Sequence, residues 1–297
     1  MKVEGRWTGV SKFLGVLFML VLVGLLAVDF WREGVFNQNL GLNLLVVGER
    51  SVGLLSLRPK EKSIQWLRFP ADLKTKVYNS GASYPLTSLW EYGKSEHNQY
   101  VVTEKSVGNM LGVAIARTIK VKGEATLERV LESFTSWGVS TDLSLRDRLV
   151  MHGMISEAIL SKKVIELEMP TAAITKVTEP DGKEFWIMNE VAMVWLKDKF
   201  YFESIMAENV EVIVNNVSGV AGVGNLMARQ LETAGMKVLE VKNDESDLVE
   251  NQGCFYLVES GDFEMSIEYL EKQLDCRLLG SGDQKKTERG LMKVWLR

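Results

Sequence analysis

Histidine, cysteine and proline are scarce in this chain: two, two and five among 297 residues. His97 and His152 stand far apart in the sequence, with no Cys or Glu at ligand spacing, so neither a metal-ligand cluster nor a Ser-His nucleophile pair is indicated. So few prolines, and no Gly/Ser-rich tract, exclude a long disordered stalk and a low-complexity wall-spanning linker. Basic charge is short as well. There are 35 Lys and Arg against 39 Asp and Glu, a formal net charge of -4, and no dense basic cluster. The electrostatic footprint of a nucleic-acid binder is therefore missing. The acidic run Asp244-Glu245-Ser246-Asp247 lacks the Gly and distal Glu of a calcium loop and reads as a solvated loop. No internal repeat is present.

Long hydrophobic runs are limited to one. Residues 13–28 contain no charged or strongly polar side chain, and nothing comparable follows. Extended through Asp29, Phe30 and Trp31, the segment would rise about 28 Å as a helix, close to the hydrocarbon thickness of a bilayer. A cleaved signal peptide is the competing reading. Its apolar region is shorter, about 7 to 15 residues, and ends at a small-x-small site that Leu25-Leu26-Ala27-Val28-Asp29-Phe30 does not supply. A buried core helix would carry a polar stripe, which this run lacks. Lys2, Arg6 and Lys12 precede the run against the single acid Glu4. Residues 1–12 are thus expected to be a cytoplasmic tail, 13–31 a single-pass transmembrane helix in the lipid bilayer of the cell membrane, and the remaining roughly 265 residues extracytoplasmic. Export also takes Cys254 and Cys276 to a compartment where disulfides persist. Two readings of the pair stand: a mutual disulfide, which needs a Cα separation below about 7 Å, or two separate buried thiols.

Beyond the anchor, residues 42–47, 53–57 and 63–67 are predicted strands, the last two flanking the turn Arg58-Pro59-Lys60-Glu61. Residues 86–92 and 103–111 have helical spacing, and Gly112 stops the second. Residues 113–121 read as a strand and 124–137 as an amphipathic helix. Thr141-Asp142 is placed to cap a helix over 143–160, and 164–169 is the closing strand. Strands mixed with helices over 39–169 predict one mixed-sheet α/β domain. Residues 170–208 read as a bridging segment around the turn Glu179-Pro180-Asp181-Gly182, with a helix over 189–197. Residues 209–297 run strand, helix, strand, strand, helix, strand, the βαββαβ order of a split-βαβ, ferredoxin-like or related sandwich. Within it, Gly219-Val220-Ala221-Gly222-Val223-Gly224 imitates a phosphate-cradling loop, but its spacing is wrong for a dinucleotide site and a tight structural turn is expected.

The stretch Val210-Glu211-Val212-Ile213-Val214-Asn215-Asn216-Val217-Ser218-Gly219-Val220-Ala221-Gly222, followed by Ala228 to Leu231 and Ala234-Gly235-Met236-Lys237-Val238, resembles the LytR C-terminal domain. Asn216 replaces a turn Gly of that family, while Ser218, Gly219, Ala221 and Gly222 match. Upstream, Leu44-Leu45-Val46-Val47-Gly48, Leu55-Ser56-Leu57-Arg58-Pro59 and Phe69-Pro70-Ala71-Asp72 are similar to the opening strands of the LytR-CpsA-Psr family. Members of that family transfer glycopolymers from a polyprenyl pyrophosphate carrier to the cell wall, and they share the one-span anchor and outward body.

The departures from that family fall on its phosphate-handling residues. Its (apolar)-Pro-Arg-Asp motif keeps Pro70 and Asp72, but Ala71 stands where the phosphate-binding Arg belongs. Its acidic metal-binding loop is cut to Glu49-Arg50-Ser51-Val52, without a Ser-Asp-Thr triplet. Leu145-Arg146-Asp147-Arg148-Leu149 resembles its Arg-x-x-Arg-Gln helix motif with Arg148 kept and the first Arg and the Gln lost. Pyrophosphate chemistry needs convergent charge-assisted donors and a divalent metal, and removing one such donor typically costs a factor of about 10² to 10³. The resemblance therefore implies a degenerate, non-catalytic binding or scaffolding relative, a pseudoenzyme with no cofactor or metal. Its partners would be cell-wall glycan, a polyprenyl-linked lipid or an envelope protein. Asp72 and Arg148 are its remnant candidates. Both also have plain readings, Asp72 as a turn residue after Pro and Arg148 as part of a solvated helix face. One alternative is an active Mg²⁺-dependent phosphotransferase, which requires Arg50, Arg68, Asp72, Arg146 and Arg148 to converge on one pocket. Another makes the first domain a spacer and the C-terminal module the glycan- or protein-binding part.

Overall fold

The computed structural model describes residues 13–21, 23–24, 34–243, 252–279 and 290–297. Residues 13–21 and 23–24 are helical, and their large apolar side chains are exposed. Among the described residues no helix is long and apolar enough to cross a membrane. The expected cytoplasmic tail, residues 22 and 25–31 of the expected anchor, and the acidic run 244–247 lie outside the described residues.

The first sheet grows around β1 (Leu42–Val47), whose six residues are all buried. β2 (Val52–Arg58) returns antiparallel through a short turn, and β3 (Ser63–Arg68) pairs antiparallel with β2. β4 (Lys74–Lys76) and β5 (Ser83–Pro85) make a small separate ladder. Helices α1 (Leu86–Ser95) and α2 (Gln99–Leu111) follow, and Gly112 ends α2 in the left-handed conformation at φ 65°. β6 (Arg117–Lys120) joins β1 in parallel. Then come α3 (Leu127–Thr135), β7 (Ser140–Thr141), α4 (Leu145–Leu160) and β8 (Val164–Leu167), which lies parallel to β3. The sheet order is β7-β6-β1-β2-β3-β8, a mixed sheet with helices on both faces. Strand alternation sorts the core. Leu42, Leu44 and Val46 meet Phe134 of α3 and Met151 of α4 on one face, whereas Leu45 and Val47 meet Leu89 of α1 and Val107 of α2 on the other.

Two sequence expectations are corrected here. Of residues 113–121 the strand keeps Arg117–Lys120, flanked by the Ala116 and Val121 N–H groups on the Asn43 and Val47 carbonyls at 2.9 Å each, while the Val113 N–H closes α2 on the Gly108 carbonyl at 3.2 Å. Helix α4 is capped by Ser144, whose Oγ accepts from the Asp147 N–H at 3.1 Å, and not by Thr141-Asp142. Thr141 sits in β7, and the Asp142 carboxylate accepts the Thr118 N–H at 3.0 Å.

A 3₁₀ turn (Thr171–Ala173) leads into the hairpin β9 (Ile174–Thr178) and β10 (Glu184–Met188). Gly182 takes φ 83° at its tip. α5 (Glu190–Lys197) starts at Asn189, whose side chain accepts from the Val191 N–H, and α6 (Glu203–Glu208) follows. The second sheet contains β11 (Glu211–Asn216), β12 (Lys237–Asn243), β13 (Cys254–Ser260), β14 (Cys276–Leu278) and β15 (Leu291–Leu296) in the order β12-β11-β15-β13-β14. It carries α7 (Val223–Ala234) and α8 (Glu264–Gln273). The ferredoxin-like expectation is corrected by this order. A split βαβ leaves a strand between the two strands joined by its first helix. Here β11 and β12 are direct parallel neighbours, since Gly235 at φ 114° turns the chain straight back beside β11. β14, missed in the sequence, lies parallel to β13 with Cys254 opposite Cys276; a disulfide joins the two at a Cα separation of 4.4 Å.

The two sheets share packed elements. Leu40 and Ala114 from the first part enter the core of the second, and the Gln273 amide donates to the Gly41 carbonyl at 2.9 Å.

Candidate functional site

The residues singled out in the sequence occupy separate places. Asp72 follows β3 in a turn closed by the Leu73 N–H on the Pro70 carbonyl at 3.1 Å, and both Ala71 and the Asp72 side chain are exposed. Arg68 is exposed and pairs with exposed Glu166 at 3.6 Å. Arg50 lies exposed in the β1–β2 turn, which is tied to the segment before α3. The Glu49 N–H donates to the Gly123 carbonyl at 2.6 Å, and the Ala125 N–H donates to Ser51 Oγ at 2.7 Å. A Cβ on Gly48 would stand 2.6 Å from Ala125 N and Gly123 O, so the two backbones touch at this turn. Lys120 reaches this turn, its Nζ 3.3 Å from the Gly48 carbonyl. Burial lowers the Lys120 pKa, with Glu91 and Glu49 opposing the fall.

Arg148 is at the far end of α3. Its guanidinium donates to the Phe134 carbonyl at 2.6 and 3.1 Å and to the Ser136 carbonyl at 2.9 Å, satisfying orphan acceptors at the helix C-terminus. α3 starts against the Arg50 turn and ends at Arg148, so about 13 Å of helix, nine residues at about 1.5 Å each, separates the two. Arg146, on the first turn of α4, is exposed. The solvated-face reading of Asp147-Arg148 is corrected. Arg148 is half-buried, and Asp147 is 4% exposed with its carboxylate accepting the Val35 N–H at 3.0 Å and the Phe36 N–H at 3.3 Å.

Two features escaped the sequence reading. The first is an acidic pair, buried Glu104 of α2, 9% exposed, and half-buried Asp142. Burial pushes the Glu104 carboxyl well above the usual carboxylate range, and the Asp142 charge pushes it further. Burial also raises Asp142, opposed by the Thr118 N–H and by Arg117, whose Nε lies 3.5 Å away. Tyr100 is raised by burial and then by both acids. A signal was present, because Glu104 sits one helical turn from both Tyr100 and Val107, on the face that α2 buries.

The second is a cleft of about 990 Å³ where the small ladders of the first part face the start of α7. Its walls come from the Lys74–Ser80 stretch, α2, the β9–β10 hairpin and the start of α7. Lys74 Nζ is 2.5 Å from Glu179 Oε1 and 4.1 Å from the Phe185 ring centre, while Arg229 Nη1 lies 3.7 Å from Met193 Sδ. The Gly219–Gly224 stretch is a turn stapled by Asn216 Nδ2 on the Val220 carbonyl and by the Val220 N–H on Ser218 Oγ, and its Val220-Ala221-Gly222 rim lines the cleft. Among the described residues no three His, Cys, Asp or Glu side chains are grouped to hold a metal ion.

No family model matches the chain, and no curated protein sequence matches it. Among solved structures, Bacillus subtilis TagT is similar at 13% identity over 58% of this chain and 94% of that one, with a TM-score of 0.42. A protein from Enterococcus faecalis described as a transcriptional regulator is similar at 10% identity over 68% and 91%, TM-score 0.42. TagT described as a LytR-CPS2A-psr family protein with bound octaprenyl pyrophosphate lipid is similar at 14% identity over 56% and 90%, TM-score 0.33.

Proposed function

We propose that this chain is a membrane-anchored, extracytoplasmic envelope protein that binds a polyprenyl-linked or wall glycan without transferring it. The observation that carries this reading is the dispersal of its cations. Breaking a pyrophosphate linkage, with polyprenyl phosphate as the leaving group, needs several bidentate donors aimed at one point. Ala71 supplies none, Arg148 is committed to the C-terminal end of α3, and Arg50 lies in the turn beside the other end of that helix. The cleft beside the β9–β10 hairpin offers binding without that chemistry. Apolar side chains, Asn109, Ser83 and the outward Arg229 give a mixed surface suited to a large amphiphilic or saccharide ligand.

The test uses the full chain in lipid vesicles with a polyprenyl-pyrophosphate-linked glycan and Mg²⁺. The expected result is saturable retention of the glycan with no polyprenyl phosphate formed, and Arg148→Ala should lower stability while retention is kept. Formation of polyprenyl phosphate that stops on Asp72→Ala would refute the non-catalytic reading, and absence of retention would refute the binding one.

A further inference from the structure

Asp147 does more than complete a helix turn, because its two backbone partners belong to the first described residues after the apolar segment. Val35 and Phe36 are fixed to it, and Lys272 Nζ of α8 holds the Gly34 carbonyl at 3.2 Å. From Trp31, the end of the expected anchor, to Val35 is four residues, at most about 14 Å of extended chain. Whatever surface lies beside Asp147 must therefore sit close to the bilayer whenever the anchor is inserted.

That surface carries side chains of interfacial type. Trp137 is 81% exposed at the loop tip after α3, and the preceding Ser136 carbonyl is pinned to the Arg148 guanidinium at 2.9 Å. Leu149, on the outward face of α4, is 51% exposed. Arg146, on the same side of that helix, is exposed and has no ion pair among the described residues. Arg146 and Leu149 share one face of α4 three residues apart, and the loop carrying the indole is tied to that helix through the Arg148–Ser136 contact; an indole, an aliphatic side chain and an outward guanidinium match the aromatic, apolar and headgroup-phosphate layers of a membrane surface.

We propose that Trp137, Leu149 and Arg146 form a membrane-docking face that lays the first domain on the outer leaflet beside its own anchor. The proposal rests on the anchored reading of residues 13–31 and adds a second, peripheral contact with lipid. Trp137 enters the interface, Leu149 covers the adjoining acyl boundary, and Arg146 meets phosphate. The strap 34–36 sets the distance.

The test places an environment-sensitive fluorophore on Trp137→Cys in the full chain, reconstituted in phosphatidylethanolamine–phosphatidylglycerol vesicles with the native disulfide intact. Leu239→Cys, at an exposed position on β12, is the reference. At position 137 the label should be quenched by lipid-borne nitroxide at interfacial depth, and its quenching by aqueous iodide should be several-fold weaker than at 239. Adding Arg146→Glu and Leu149→Ser, both at solvent-facing positions, should return it to iodide. If the protein resists alkaline carbonate extraction yet the label at 137 behaves like that at 239, docking is overturned and the anchor stands. If carbonate extracts the protein, the anchor reading falls and docking falls with it.

Discussion

Gly34 and Asp147 should behave as one unit. The Asp147 carboxylate, buried at 4% exposure, accepts two backbone N–H groups from the strap, and a Cβ on Gly34 would overlap Asp147 Oδ1 while standing 3.0 Å from Cγ. Asp147→Ala removes two charge-assisted bonds, each worth about 1.5–3 kcal/mol, and orphans two donors, of which that of Val35 is buried; about 3–5 kcal/mol of destabilisation is expected. Asp147→Asn keeps one acceptor oxygen and should cost about 1–2 kcal/mol. Gly34→Ala forces the carboxylate off its partners and should cost about 1–3 kcal/mol. In the double variant Gly34→Ala/Asp147→Ala the overlap is gone, so the two effects should fall short of additivity by about 1–3 kcal/mol. Urea unfolding of the full chain in detergent micelles measures all four corners, with hydrogen exchange at the Val35 and Phe36 amides as the local readout. A cycle additive within about 0.5 kcal/mol, or amides that stay protected in Asp147→Ala, would refute the lock.

The buried acids predict a pH dependence. Because burial raises Glu104, the folded state holds its proton more tightly than the unfolded chain does, so this group's stabilisation is present at low pH and is lost as pH rises through the raised folded pKa. Glu104→Gln stays neutral and should gain stability relative to wild type as pH rises above the ordinary carboxylate range, read from urea midpoints; parallel profiles would contradict it. The disulfide closes a loop of sequence separation 22 and should contribute about 3 kcal/mol, so a phosphine reductant should lower the unfolding midpoint of wild type but leave a Cys254→Ser/Cys276→Ser variant unmoved.

What could be read from the sequence was local. The run Leu42–Val47 is apolar on both faces because helices cover both sides of the sheet, and that alone marks a central strand. Gly112 and Asn189 announce helix ends because their conformations or side chains serve the adjacent backbone directly. Long-range choices left no such mark. Nothing in residues 237–243 says whether β12 lies beside β11 or one strand away, since that is decided by how α7 packs. Ser144 and Thr141 are both good caps by residue type; β6 engaged Thr141 in an edge strand and left the cap to Ser144. Asp147 and Arg148 look alike as adjacent helix charges, yet one is buried under the strap and the other holds the end of α3. Three of the residues that distinguish this molecule, Glu104, Asp147 and Arg148, are charged groups whose partners lie on other elements, the class that a single sequence resolves worst.

The arginines of the first part of the chain point the same way. Arg58, 6% exposed, donates to the Lys199 and Tyr201 carbonyls at 2.6 and 3.1 Å and so ties the β2–β3 turn to the segment before α6. Arg117 faces the buried Asp142, and Arg148 satisfies the carbonyls of α3. A guanidinium with two or three fixed acceptors is already oriented, and turning it toward a phosphate would take from those carbonyls their charge-assisted donors. An Arg introduced at position 71 would therefore supply one isolated cation on an exposed turn rather than a site. The guanidinium groups that phosphoryl chemistry would need at one point instead fix a turn, a buried backbone junction and a helix end.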